Sequence, residues 1–136
     1  MEHGDTLTLD ATDDERWRYA SLTLGRALGD STGWEIAVRR HNITVAGALA
    51  DLGLVEFERA HVPETTVFSS SAARESASDA IKRWYSYSFV THLLRTQGHV
   101  YALRMRDGRM WKLQVLGYYC PGLTAGCLTI RYAPVA

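Results

Sequence analysis

The run Val100-Tyr101-Ala102-Leu103-Arg104-Met105-Arg106-Asp107-Gly108-Arg109-Met110-Trp111-Lys112-Leu113-Gln114-Val115 decides the fold class. Two alternating, β-prone stretches flank an Asp-Gly pair, the strongest short-range signal of a β-hairpin. A two-residue type I′ turn at Asp107-Gly108 would set Arg106 opposite Arg109, Met105 opposite Met110 and Arg104 opposite Trp111. Ala102 would then meet Leu113, and Val100 would meet Val115. This register predicts a core face of Val100, Ala102, Leu113 and Val115. Leu103, Met105, Met110, Lys112 and Gln114 would take the other face, and Arg104 would stack on Trp111 as a cation–π pair.

Outward from this hairpin the chain continues as strands. A second hairpin is predicted from Leu116 to Cys120, a turn around Pro121-Gly122, then Cys127 to Tyr132. Thr6 to Leu9 alternates polar and apolar residues, the period of a half-buried strand. Asp10 to Arg16 is polar and turn-like. Trp17, Tyr19, Ser21 and Thr23 share one strand face. Trp34 to Val45 reads as one long alternating strand, with Trp34, Ile36 and Val38 on one side and Glu35, Arg39 and His41 on the other. Ala46 to Gly53 reads as a loop or short helix, and Leu54, Val55 and Phe57 as a short strand. Ser69 to Asp79 is surface loop or at most a helical turn or two. Trp84 to Leu94 returns to β-prone composition. The expected architecture is all-β, with antiparallel sheets packed as a sandwich and little helix.

The length of 136 residues suits one domain over 1–136. Four Trp, seven Tyr and three Phe supply core material that a disordered chain lacks. No apolar run is long enough to span a membrane. Met1 leads straight into polar residues, so no signal peptide is read at the start of this chain. Basic and acidic residues balance at 15 each, but residues 1–79 carry 14 acidic and 7 basic while residues 80–136 carry 1 acidic and 8 basic. The two halves are expected to pair within one fold. A nucleic-acid face is disfavoured because the basic residues alternate along strands rather than cluster.

Cys120 and Cys127 flank the second turn. A metal reading needs further soft ligands nearby, and a redox reading prefers Cys-x-x-Cys. A disulfide across the hairpin fits best and implies an oxidising compartment, the periplasm or the cell exterior. Two reduced, buried thiols are the alternative. Enzyme motifs are missing: there is no Gly-x-Ser-x-Gly elbow, phosphate loop or His-Glu-x-x-His. Ser69-Ser70-Ser71 lacks an indicated base, and Asp13-Asp14-Glu15 reads as a solvated turn.

Two sets of residues resemble a known family. The early set is Trp17-x-Tyr19 with Gly33-Trp34-Glu35-Ile36-Ala37-Val38-x-Arg40-x-Asn42-Ile43. The later set is Trp84-Tyr85-x-Tyr87, Val100-Tyr101-x-Leu103-Arg104-x-x-Asp107-Gly108, Lys112-Leu113-Gln114-Val115-x-x-Tyr118-Tyr119 and Thr129-Ile130-x-Tyr132. In this order they resemble the HmuY-like family over most of residues 5–133. The resemblance implies an all-β, non-catalytic haem-binding lipoprotein of the Gram-negative envelope. Such a protein passes haem to a TonB-dependent outer-membrane receptor, and two axial His or Met side chains hold the iron. The alternative is a cofactor-free interaction or structural module on the same fold. A third is binding of another apolar ligand in the same cleft.

The better-known members take one ligand from a middle segment that is short here; residues 62–83 contain neither His nor Met. His92, in Phe89-Val90-Thr91-His92-Leu93-Leu94, is the best-placed ligand near the family's second ligand region, with apolar flanks that could cover a porphyrin. His61, before Val62-Pro63, could sit at a loop mouth, and His99 follows Gly98 at the start of a strand. His41 and His3 are expected on the surface and near the terminus. Paired Met ligation occurs in the family, but Met105 and Met110 as cross-strand neighbours could not admit a porphyrin between them. Either could pair with a His from another loop.

Overall fold

The computed structural model describes residues 4–12, 15–30, 32–40, 42–70, 84–88, 90–91, 93–105, 107–121 and 124–135. Twelve strands follow in chain order: β1 (Asp5–Asp10), β2 (Arg18–Ser21), β3 (Arg26–Ala27), β4 (Ile36–Arg39), β5 (Asn42–Val45), β6 (Ala48–Gly53), β7 (Ser69–Ser70), β8 (Tyr85–Tyr87), β9 (Leu94–Thr96), β10 (Val100–Arg104), β11 (Met110–Tyr119) and β12 (Ala125–Val135). Among the described residues there is no helix. The strands form a six-stranded sheet in the order β1-β12-β11-β10-β6-β7, a four-stranded sheet β3-β2-β4-β5 and a two-stranded ribbon β8-β9. All pairings are antiparallel.

The main core lies between the two larger sheets. Leu9, Leu49, Tyr101, Leu103, Leu113, Val115, Leu128 and Ile130 from one meet Ala20, Ile36, Val38, Ile43 and Val45 from the other, with Trp84 sealing the ribbon side. A smaller cluster of Phe57, Val100 and Ala133 forms separately, with Leu52 and Ala60 packed against it. The expected all-β sandwich of antiparallel sheets is therefore the observed class.

The hairpin that decided the fold is present, one residue out of the expected register. Val100 pairs with Gln114, Tyr101 with Leu113, Ala102 with Lys112, Leu103 with Trp111 and Arg104 with Met110. Met105 N donates to Arg109 O, and Gly108 N donates back to Met105 O. The connection is thus a three-residue loop with a left-handed glycine, not a two-residue type I′ turn. The slip exchanges the faces of β10, while Leu113 and Val115 of β11 enter the core as expected. Tyr101, Leu103, Leu113 and Val115 point into the main core, with Met105 and Trp111 packed against it. Val100 belongs to the smaller cluster. The expected Arg104–Trp111 stack is replaced by Arg104 over the Phe68 ring, 4.3 Å from its centroid. Arg106 lies outside the described residues.

Gly108 has φ 93°, and a Cβ there would meet nothing within 4 Å. The cost of a side chain is therefore backbone strain alone. Gly108→Val should lose about 1 kcal/mol or slightly more, because a β-branched residue resists positive φ. An unchanged urea midpoint would contradict the assigned turn. Asp107 supports the same turn: a backbone bond from Arg109, then its side chain, holds the Asp107 carboxyl below the usual carboxylate range.

Several other expectations change. Trp34–Val45 is not one strand: Arg40 adopts φ 54° and the chain reverses there, pairing Arg39 with Asn42. Ala46–Gly53 contains strand β6 instead of a loop or helix, while Leu54, Val55 and Phe57 form no strand. Trp84–Leu94 divides into the β8-β9 ribbon. Glu35, expected on the polar face, is 2% exposed. The loop assigned to Ser69–Asp79 begins instead as strand β7, where Ser69 and Ser70 pair with Leu49 and Ala48 of β6, and residues 71–79 lie outside the described residues. Cys120 and Cys127 are joined as a disulfide, as expected, closing the β11-β12 hairpin.

Candidate functional site

A groove of about 640 Å³ opens where β6 runs into the irregular segment 54–67. Its floor includes Ala50 and Leu52; its wall includes Val55, Ala60, Pro63 and Val67, and His61 stands among them. Glu56 and Arg59 border it and pair with each other at 3.3 Å. The volume falls within the range of small-molecule sites, about 300–1,000 Å³. Two lining residues are large apolar side chains held in solvent, Val67 at 86% and Val55 at 43% exposure, and Leu54 beside them is 77% exposed. Apolar surface left open around a concavity marks a binding region.

The wall is irregular: Leu54, Val55 and Phe57, read as a short strand, form none. Glu56-Phe57-Glu58-Arg59 makes a tight turn, with Arg59 N donating to Glu56 O and Ala60 N to Phe57 O. Pro63 removes a backbone donor two residues after His61, and Thr66 N closes a further turn on Pro63 O. His61 is exposed on this wall.

His99 stands beside the groove without lining it. Its Nδ1 lies 2.9 Å and 3.1 Å from the two oxygens of Asp51, which does border the groove. A carboxylate on Nδ1 fixes the ring and directs Nε2 outward, the arrangement that commonly supports a metal-ligating imidazole. Asp51 Oδ1 also accepts from Gly53 N at 2.7 Å. Burial, with the Asp51 charge second, pushes the neighbouring Tyr101 phenol upward.

Met105 and Met110 do not line the groove. Met105 packs against the main core, and the register sends Met110 to the opposite face of the hairpin. The two methionines are therefore not cross-strand neighbours; they address different spaces rather than one. His92, Phe89, His41 and His3 lie outside the described residues. The ribbon carrying residues 88–93 is tied down at its base. Leu94 N donates to Tyr119 Oη at 2.8 Å, and Thr96 Oγ1 donates to Val115 O at 2.7 Å. Among the described residues no group of three or more His, Cys, Asp or Glu could hold a bare metal ion.

Sequence reasoning missed two buried charged groups. The Glu35 carboxylate accepts from Leu22 N, Thr23 N and the Trp111 indole. The Lys112 ammonium lies under the groove wall. Neither has a local sequence signal, since the partners of each lie 12 to 76 positions away.

This is an antiparallel β-sandwich with an open groove bordered by an imidazole. Its fold matches solved structures of HmuY-like proteins. One, from Bacteroides vulgatus and designated HmuY-like and haem-binding, superposes with TM-score 0.79 at 18% identity, covering 96% of this chain and 91% of its own. The apo HmuY analogue of Tannerella forsythia gives TM-score 0.83 at 14% identity, covering 98% and 96%. A protein from Bacteroides fragilis designated a lipoprotein gives TM-score 0.78 at 16% identity, covering 96% and 88%. At these identities the likeness is one of fold. No protein-family model and no curated protein matches the chain.

Proposed function

We propose that this protein binds haem without catalysing a reaction on it and carries it in the bacterial cell envelope, in the manner of an HmuY-like haemophore. The observation that carries this reading is the whole-chain likeness of fold to a protein designated haem-binding. The chemistry of the groove fits the ligand. Apolar walls suit a porphyrin face, and an imidazole suits the iron, which accepts a lone pair from His or Met when haem is bound. His61 borders the groove, and His92 follows from the family resemblance; these two are the proposed axial donors. His99, Met105 and Met110 are the reserve donors. Residues 1–136 would then act as one HmuY-like unit. The disulfide and the lipoprotein neighbour support a periplasmic or outer-surface location, and a TonB-dependent receptor is the proposed partner.

The test is a haemin titration followed by absorption, with wild type, His61→Ala, His92→Ala and the double variant. Wild type should give a shifted Soret band at micromolar haemin. Each single variant should weaken binding by about tenfold or more, the loss expected when one coordinate bond is removed. If wild type gives no shift, the haem reading fails and the cofactor-free interaction module replaces it. If only His61→Ala is silent, the donor lies among the reserve residues.

A further inference from the structure

Residues 54–67 form the outer wall of the groove and, among the described residues, have no strand partner. Something else must hold the wall against the sheet. Lys112, on β11, is 5% exposed, and its Nζ donates to the carbonyl of Phe57 at 2.7 Å and of Glu58 at 3.3 Å. The Phe57 ring, itself 2% exposed, lies between two cations: Lys112 Nζ is 4.8 Å and Arg131 Cζ 4.4 Å from its centroid. Arg131 also pairs with Glu58 of the same turn.

A buried ammonium is costly to desolvate, and an apolar side chain of similar volume fills such a space more cheaply. Its presence here matches a specific need. A turn with no ladder to join leaves carbonyls that want donors, and Phe57 O takes both Ala60 N and Lys112 Nζ. The ammonium replaces the missing neighbouring strand. Three residues past Glu58, the same backbone presents His61.

We propose that Lys112 is the positioning residue of the groove: it fixes the Phe57–Ala60 turn, and through that turn it fixes the wall and the imidazole of His61. Its bearing on ligand binding rests on the proposed reading of the groove as a haem site. The role in shaping the wall does not.

The experiment compares wild type, Lys112→Met, Lys112→Arg and Lys112→Gln in the full chain. Hydrogen exchange reads the wall amides, and haemin absorption reads the site. Lys112→Met should keep the strand signal while the amides of Arg59 and Ala60 exchange at least about tenfold faster and haemin affinity falls about tenfold, as for one net hydrogen bond lost. Lys112→Arg should restore much of both, since a guanidinium can still donate to the two carbonyls. Wall amides as protected in Lys112→Met as in wild type overturn the proposal, as does unchanged haemin affinity in a variant whose wall has loosened. If wild type binds no haemin yet the wall loosens in Lys112→Met, the haem reading fails and the role of Lys112 in the wall stands. Should Lys112→Met fail to fold, Lys112→Gln decides: it takes the ammonium away from the Phe57 and Glu58 carbonyls while keeping a polar end, and a wall as protected as in wild type overturns the proposal.

Discussion

Glu35→Ala should lose about 3–5 kcal/mol of stability, the range for removing one partner from a buried charged cluster. The carboxylate accepts from Leu22 N at 2.7 Å, Thr23 N at 3.0 Å, Ser21 Oγ at 3.3 Å and Thr23 Oγ1 at 3.2 Å, all through Oε1. Oε2 takes the Trp111 indole N–H at 3.1 Å and faces the Arg109 guanidinium at 3.6 Å. The first group of bonds closes the turn after β2. The second reaches the six-stranded sheet, so one side chain ties both sheets together. Truncation would leave two backbone donors and an indole donor without the acceptor they were folded around. Glu35→Gln keeps one acceptor oxygen and should lose only about 1–2 kcal/mol, the difference between charged and neutral hydrogen bonds. Urea unfolding monitored by tryptophan fluorescence measures both. A loss below about 1 kcal/mol for Glu35→Ala would show that water replaces the carboxylate, and the cluster would then not join the sheets.

The burial of Glu35 also marks where sequence reading ends. Its strand was legible, since Ile36 and Val38 do enter the core as the alternation predicts. The carboxylate looked solvent-facing because period-two alternation assigns a side and cannot see donors arriving from residue 111. The break at Arg40 was hidden for a related reason. Positive φ is normally signalled by Gly or Asn, whereas here the arginine is held by tertiary bonds. Its amide donates to Ala11 O, and its guanidinium reaches Thr12 O and Ala125 O. At Asp107-Gly108 the glycine and its φ were legible and the loop length was not. Asp-Gly suits both a two-residue type I′ turn and the end of a three-residue loop, and that single residue exchanged the faces of β10 while those of β11 held.

The candidate site was less legible than the fold. His61 before Val62-Pro63 suggested a loop mouth, and it does border the groove. The groove itself has no sequence signature. Leu54, Val55 and Phe57 at its start carry a strand-like pattern that forms no strand, and its support comes from Lys112 and Arg131, both far along the chain. Met105 and Met110 lost their pairing with the one-residue slip, so the geometric case against them as a joint ligand pair now rests on opposite faces rather than on crowding.

Loss of the disulfide should be the other large effect. Cys120 and Cys127 stand seven residues apart across the β11-β12 hairpin. For so short a loop the chain-entropy model gives about 2–3 kcal/mol. The bond matters more here because the ladder above it is irregular. Pairing between β11 and β12 shifts after Val115–Ile130 and again after Gly117–Thr129, before Tyr119 meets Ala125. Bulges weaken local pairing, so the crosslink supplies registration where hydrogen bonds supply less. Cys127 also pairs with Asp10 of β1, so a frayed β12 end would release the edge strand beside it. Intact protein should weigh two hydrogens less than its reduced form by mass spectrometry. Cys120→Ser/Cys127→Ser should unfold at a lower urea concentration, with faster exchange of amides in β1 and in the first residues of β12. The β10-β6 ladder, with Leu103 opposite Leu49, lies outside the crosslinked hairpin and should stay protected to the global limit. Equal midpoints for the two proteins would mean that the bulged ladder holds its own register, and the crosslink would then be a marker of compartment rather than a source of stability.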